Sequence, residues 1–401
     1  MKSKTSSLSR RTSDEAQAHR ALKTLLRRRL DTVLDIALQE KRIIGAVVMV
    51  ACDGELVYQG AAGYAERETQ TTMRPDHLFR LASVTKPIVT VAALRLIDEQ
   101  RLALHDPVTR WLPDFRPTLP NGHEPVITLH HLLTHTAGLS YGFAEADDSS
   151  YHRLGISDGL DDVEFDLDEN LRRLAKTPLV HAPGEKWRYS LAIDVLGAVI
   201  ERTTGEPLPV AVSRLVTQPL GMSDTAFHAH SPERLATAYA NADPEPVRIL
   251  DGMRVPLPEE IGIAVRFAPR RALNAQAYPS GGAGMVGTAA DILKLLEMIR
   301  RKGAPLLSTS MVNSMHTDYV GAEAQAHGPG WGFGYGGAVL ANPMLAATPQ
   351  SKGTLQWGGV YGNWWFVDPT RALSVVLLTN TAYEGMCGAL TGQVRDAVYG
   401  V

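Results

Sequence analysis

The chain is poor in cysteine. Cys52 and Cys387 are the only two in 401 residues. Two thiols in a chain this long do not make a disulfide framework, and both read as small buried hydrophobes. Long apolar runs are missing too: no stretch of 18 apolar residues occurs, so no membrane-spanning helix is expected. An excess of either charge is absent. Forty Lys and Arg stand against 43 Asp and Glu, a net of −3, which gives no electrostatic reason to expect nucleic acid or an anionic membrane as partner. Ser9-Arg10-Arg11 has the letters of a twin-arginine export signal. Residues 12–20 are polar where such a signal needs an apolar stretch, so a disordered polar tail over 1–18 of a cytoplasmic protein is expected. Internal repeats are absent, and low complexity is confined to that tail.

What is present is strong periodicity at the two ends. Leu22, Leu25, Leu26, Leu30, Val33, Leu34, Ala37 and Leu38 recur at three and four, which predicts an amphipathic helix over residues 20–40. The nearly all-apolar run Ile44–Val50 follows, then Asp53-Gly54, a dipeptide suited to a two-residue hairpin turn, then a returning strand from Glu55 to Ala62. A lone hairpin is marginal in water. Its partners are expected at the far end, where Gly353–Val360, Asn363–Val367 and Leu373–Thr379 read as strands, with turn chemistry in Asp368-Pro369-Thr370-Arg371. Ile44–Val50 and Leu373–Leu378 are apolar on both faces, so helices should cover both faces of the sheet. The N-terminal helix and one near 388–399 are the obvious covers. The expected organisation is an antiparallel α/β domain from 19–89 and 283–401, with a mostly helical domain inserted over 90–282.

Three short segments carry chemistry. Ser83-Val84-Thr85-Lys86 stands before Ile88–Ile97, a run apolar nearly all round and therefore a buried helix. Spacing i, i+3 puts Ser83 and Lys86 on one face of its first turn, and Pro87 is tolerated there. A lysine held in a dry site has a lowered pKa. Tyr189-Ser190-Leu191 follows a Pro-Gly turn, and a tyrosine beside a lysine can share one proton with it, so Tyr189 is expected to take the Ser83 proton as a phenolate. Trp357-Gly358-Gly359 lies in a strand where adjacent glycines admit close approach to the backbone. N–H groups there and at Ser83 suit an oxyanion hole.

Other patterns compete. Gly138-Leu139-Ser140-Tyr141-Gly142 matches G-x-S-x-G, but the residues before it read as a helix rather than the strand that motif needs, which makes Ser140 a decoy. Tyr141 remains a pocket-lining candidate. His131 and His135 have i, i+4 spacing without a third ligand, so no metal is expected. Lys352-Gly353-Thr354 has the letters of a lysine-threonine-glycine block in the wrong order, and Lys352 reads as a surface residue at a strand end.

With these segments placed, the chain resembles the class C β-lactamase-like serine esterases, the family VIII carboxylesterases. The likeness extends over nearly everything after about residue 25. It includes the runs Leu78–Pro87, His131–Thr136, Gly328–Tyr335 and Leu355–Gly362. The resemblance implies an α/β (α+β) fold like that of β-lactamases and penicillin-binding proteins: an antiparallel sheet flanked by helices, a helical domain, and a site between them. It implies Ser83 as nucleophile, Lys86 and Tyr189 as the base pair, and the Ser83 and Val360 N–H groups as the oxyanion hole. It implies no cofactor, and a small-molecule ester as substrate. Where β-lactamases have asparagine this chain has Leu191, and their lysine-threonine-glycine block is replaced by Trp357-Gly358-Gly359. Both changes remove polar contacts to a charged substrate and point to short-chain esters, with Trp357, Tyr141 and Trp365 narrowing an apolar pocket. A β-lactamase or peptidase, an acyltransferase to alcohols, and an inactive binding homologue are the alternatives. Oligomeric state is left open.

Overall fold

Leu26, Leu30, Leu34 and Ala37 are all buried. They form the apolar stripe of the first helix, α1 (residues 23–39). The computed structural model describes residues 23–401, so the tail expected over 1–18 lies outside the described residues. The hairpin β1 (Gly45–Cys52) and β2 (Glu55–Glu66) follows α1. Asp53 and Gly54 between them have φ of +49° and +87°. Both are left-handed, as a type I′ turn requires. The short β3 (Thr71–Thr72) closes that edge. Five strands from the C-terminal third complete the sheet: β4 (Trp331–Phe333), β5 (Ala338–Leu340), β6 (Leu355–Gly359), β7 (Asn363–Asp368) and β8 (Leu373–Thr379). The order is β4-β5-β6-β7-β8-β1-β2-β3, antiparallel throughout. Val47 faces Leu378 and Val50 faces Val375, so the two chain ends zip together at the centre. The turn from β7 to β8 is fixed by Asp368, whose carboxylate accepts from the N–H groups of Thr370 and Arg371 at 3.0 Å each.

The helices that matter most are α2 (Thr85–Asp98), α3 (Leu129–Leu133), α4 (Ala192–Thr204), α5 (Ala289–Arg300) and α6 (Ala389–Tyr399). Alternation along the central strands sends Ala46, Val48, Val50, Trp364, Phe366, Val375 and Leu377 to one face, under α1 and α6. Val47, Met49, Trp365, Val367, Val376 and Leu378 go to the other, into the main core. The terminal helices therefore share one face instead of covering both. The second face is covered by α5, through Ile292, Leu295, Leu296 and Ile299. Helix α2 packs against α4 and is buried nearly all round, where each enclosed Leu, Ile or Val contributes ~1.5–3 kcal/mol.

Between α2 and residue 282 the chain contains α3, α4 and the helices Ser150–Arg153, Leu167–Leu174 and Leu208–Val212, the last continued by a π-helical turn at Ser213–Thr217. It also holds long loops and a hairpin pairing Met253–Pro256 with Ala264–Phe267. The boundary expected at residue 90 falls inside α2. Both ends of this segment return to one place, because Phe79–Arg80 pairs with Val286–Gly287. The two cysteines are free, and they differ from the expected buried pair: Cys52, at the end of β1, is half-buried, and Cys387, closing the turn Glu384–Cys387, is exposed. No described helix is long and apolar enough to cross a membrane.

Candidate active site

The chain reaches Ser83 through a strained elbow. Ala82 is buried with φ +45°, a left-handed conformation costing a non-glycine residue ~1–3 kcal/mol. The surroundings hold it there. Leu81 N–H donates to the Met285 carbonyl at 2.9 Å, and Asn363 Nδ2 donates to the Arg80 carbonyl at 2.8 Å. A short 3₁₀ turn, Ala82–Val84, then runs straight into α2, which places Lys86 in the first helical turn above Ser83.

The three expected side chains converge. The Tyr189 hydroxyl donates to Ser83 Oγ at 2.7 Å, and Lys86 Nζ stands 3.1 Å from the same oxygen. Lys86 also donates to the Gly282 carbonyl at 2.8 Å, and its ammonium position lies 4.6 Å from the centre of the Tyr189 ring. Trp357 Nε1–H donates to the Tyr189 oxygen at 3.2 Å, so the third segment reaches the second directly. Lys86 is almost fully enclosed. Burial pushes its pKa down to about 7, against an upward pull from Asp194 and Asp158. Burial pushes Tyr189 the other way, above its ordinary value, more than its contacts with Ser83 and Trp357 lower it. The expected division of labour is thereby reversed. Both shifts favour the uncharged form, so burial disfavours the expected ammonium–phenolate pair and holds Lys86 near the point where amine and ammonium are balanced at neutral pH.

Backbone geometry explains the glycines. A Cβ on Gly359 would stand 2.4 Å from the Leu81 carbonyl oxygen and 3.4 Å from the Ser83 nitrogen. Strand β6 therefore runs against the elbow itself. A Cβ on Gly358 would meet Met386 Cγ at 2.9 Å. The Val360 carbonyl, at the end of the strand, accepts from Tyr383 N–H at 3.2 Å.

Residues that sequence patterns did not single out for this purpose hold Tyr189 in place. His135, fully enclosed with φ +54°, packs its ring 4.9 Å from that of Tyr189. Its Nδ1 accepts from Ser190 N–H at 3.2 Å, and its carbonyl accepts from Arg188 N–H at 2.9 Å. Burial holds its pKa well below the usual histidine value, so it is a neutral brace. His131 caps α3 through Thr128. Arg188 donates to Ser140 Oγ at 2.9 Å and to Glu145 at 2.6 Å. Ser140 is thus a buried structural hydroxyl, preceded by a turn at Gly138 (φ +80°) rather than a strand. Lys352 is exposed, as expected of a strand-end residue.

The expected pocket residues divide. Trp357 packs its ring against Tyr189 (5.1 Å) and edge-on to Phe333 (5.2 Å), forming an aromatic wall beside Ser83. Tyr141 stacks on Phe143 at 4.7 Å and lies 5.1 Å from the Tyr189 ring. Leu191 and Trp365 have no accessible surface. Leu191 sits at the head of α4 and Trp365 pairs with Trp357 across the sheet, so both support the wall from behind instead of facing a substrate. A cavity of about 800 Å³ lies elsewhere, between Pro209–Gln218 and Gly221–His230, and touches none of these groups.

Known proteins share this arrangement of elements. The β-lactamase family model matches residues 22–398. Esterase EstB of Burkholderia gladioli is 60% identical over 371 residues, covering 92% of this chain and 94% of that protein. The solved structure of EstCE1, described as a hydrolase with promiscuous acyltransferase activity, superposes with a TM-score of 0.93 at 51% identity, covering 94% of this chain and 99% of that one. A penicillin-binding protein homologue from Caulobacter crescentus shares the fold at a TM-score of 0.69 and 21% identity, covering 93% of this chain and 96% of that one. The sheet built from both chain ends, with a serine at the head of a buried helix beside β6, is the β-lactamase and penicillin-binding-protein architecture, and the chain belongs to the β-lactamase family.

Proposed function

We propose that this protein is a serine esterase that hydrolyses short-chain carboxylic esters through an acyl-Ser83 intermediate. The observation that carries this is the double contact at one oxygen: Ser83 Oγ lies 3.1 Å from Lys86 Nζ and 2.7 Å from the Tyr189 hydroxyl. The neutral Lys86 amine gives one hydrogen to the Gly282 carbonyl, which leaves its lone pair free to accept the Ser83 proton. As that proton leaves, Oγ bonds to the ester carbon and the carbonyl electrons move onto oxygen. The N–H groups of Ser83 and Val360 are the donors for this oxyanion, one from each side of the Gly359 contact. Collapse breaks the bond to the alcohol oxygen, which takes the Tyr189 hydroxyl proton. The Lys86 ammonium then restores that proton to Tyr189. Water repeats the sequence on the acyl-enzyme.

The aromatic wall of Trp357 and Tyr189, backed by the buried Phe333 and Tyr141, sets the substrate class, because it is apolar and bulky. The same wall supports a second reading, transfer of the acyl group to an alcohol. An apolar acceptor competes well with water there, and EstCE1 carries acyltransferase activity in its description. Product analysis with added alcohol separates transfer from hydrolysis. The primary test is Ser83→Ala, which is expected to abolish p-nitrophenyl butyrate hydrolysis and labelling by a fluorophosphonate. Ser140→Ala is expected to retain both. The opposite pattern would transfer the reaction to Ser140.

A further inference from the structure

Helix α4 is apolar wherever it is buried, with one exception. Ile193, Val195, Leu196, Ala198, Val199 and Ile200 fill the core, and Asp194 stands among them with no accessible surface. Nothing in the packing of the helix calls for a carboxylate, and burying one is expensive unless a charge or donors answer it. Neither Asp194 oxygen makes a hydrogen bond of ordinary geometry, and neither does the buried Tyr141 hydroxyl. The Ser280 hydroxyl and Gly282 N–H are the donors that face Asp194.

The absent side chain of Gly282 shows what these groups share. A Cβ there would stand 2.5 Å from Asp194 Oδ2, 2.8 Å from the Tyr141 oxygen and 3.5 Å from Lys86 Nζ. The carboxylate, the phenol and the amine therefore crowd one point at the Gly282 backbone. The Lys86 ammonium position also lies 5.2 Å from the Tyr141 ring centre. The other charged and titratable groups facing the pair come from every neighbouring element. Asp158 accepts from Gly142 and Phe143 N–H. Arg271 lies over the Tyr278 ring. Tyr189 comes from the segment before α4, with the neutral His135 behind it.

We propose that Asp194 is a positioning residue for acyl transfer: its carboxylate is the counter-charge that lets Lys86 become an ammonium inside a dry site. The inference rests on the Ser83–Lys86–Tyr189 reading above. When Ser83 Oγ attacks, its proton converts the Lys86 amine to an ammonium. With Asp194 in place that cation forms beside an anion. Without it, the same transfer creates a lone cation among aromatic rings and apolar side chains. Burial lowers Lys86 and Asp194 pulls it back upward, while burial pushes Asp194 up to about 6 and Lys86 pulls it back down, so each group favours the other's charged form and Asp194 is the anion on the alkaline side of that value.

The test is the pH profile of kcat/KM for p-nitrophenyl butyrate in the full-length protein, wild type against Asp194→Asn and Ser280→Ala. Removing the negative charge should move the acid limb down by roughly one pH unit or more, since an opposite charge at this range shifts a pKa by about that much. The plateau should fall by at least about tenfold, because a lone buried cation is harder to form. Ser280→Ala, which removes a donor that holds Asp194 in its charged form, should move the limb the same way by less. A fall in plateau with an unmoved limb in Asp194→Asn would make Asp194 merely structural and overturn the proposal. If that variant does not fold, an unmoved limb in Ser280→Ala overturns it, and a lowered limb supports it. Fluorophosphonate labelling keeps the two readings apart. Wild-type protein that does not label at Ser83 refutes the nucleophile assignment, whereas labelling at Ser83 with fixed limbs refutes only the role of Asp194.

Discussion

Gly359→Ala tests whether β6 and the elbow form one catalytic unit. The residue needs no left-handed φ, so alanine suits its backbone and the effect comes from contact alone. The new methyl would begin 2.4 Å from the Leu81 carbonyl and 3.4 Å from the Ser83 nitrogen. Carbon and oxygen need roughly 3 Å or more, so strand and elbow must part by more than about half an ångström. They cannot part freely. Leu81 is tied to Met285, Arg80 is tied to Asn363 on β7, and β7 is paired to β6. The displacement therefore falls on the Ser83 and Val360 N–H groups. Loss of one oxyanion donor, or a misplacement of about 1 Å, costs ~10²–10³ in rate. The expectation is a drop in kcat of about that size, with KM changed only a few-fold, in a protein that still shows native circular dichroism.

The control is Gly353→Ala. Gly353 has φ +86°, and a Cβ there would find nothing within 4 Å, so the change brings backbone strain without a clash. It should lose ~1 kcal/mol of stability, read as a lowered Tm, and keep its kcat. If Gly359→Ala retains kcat within about threefold, or if the two variants lose activity equally, the close approach of β6 to the nucleophile is not what organises the site.

Tyr189→Phe should lower kcat by ~10²–10⁴ while leaving the fold intact, since the ring contacts to His135 and Trp357 survive and only the hydroxyl is lost. A kcat near wild type would remove Tyr189 from the proton path. In the wild-type enzyme kcat/KM should rise with pH and reach half its plateau near 7, because the active form holds Lys86 as the free amine and burial sets its pKa at about 7. Tyr189, pushed above its ordinary value, stays protonated throughout that rise. A profile that is flat from pH 5 to 9, or that falls across this range, contradicts the assignment of Lys86 as proton acceptor.

Local features were legible in the sequence wherever a local rule decides them. The turn at Asp53-Gly54 needs positive φ twice, and few dipeptides supply that. The i, i+3 spacing of Ser83 and Lys86 on a helix apolar all round fixed both their shared face and the burial that weakens the lysine's hold on its proton. What escaped depends on tertiary placement. Periodicity marks the apolar stripe of α1 and α6 but not which face of the sheet receives it, and both went to the same one. Leu191 and Trp365 have the right neighbours in sequence, yet each points into the core. The phenolate expected at Tyr189 assumed that charge pairing outweighs desolvation, and full enclosure reverses that order. Asp194 gave one faint sign, a single charge in the apolar stretch of α4. Its meaning came only when Gly282, 88 positions away, left room for Lys86 and Tyr141 beside it.

Base strength in this site is a property of the core. Lys86 sits in the first turn of α2 with its amine between the Tyr141 and Tyr189 rings and the Gly282 carbonyl, and that enclosure keeps water away from a group that in solution would hold its proton at neutral pH. The elbow at Ala82 and the brace at His135 are both left-handed and strained, and both are held by bonds to separate parts of the chain, the first to Met285 and β7, the second to the Arg188–Ser190 segment. Strain of that kind persists only where the surroundings over-determine it. The interior that stabilises the fold thus also deprotonates the lysine, aims the serine and fixes the tyrosine. Loosening the packing around α2 should therefore weaken catalysis before it unfolds the protein, because admitting water raises the proton affinity of Lys86 while most of the buried surface stays buried.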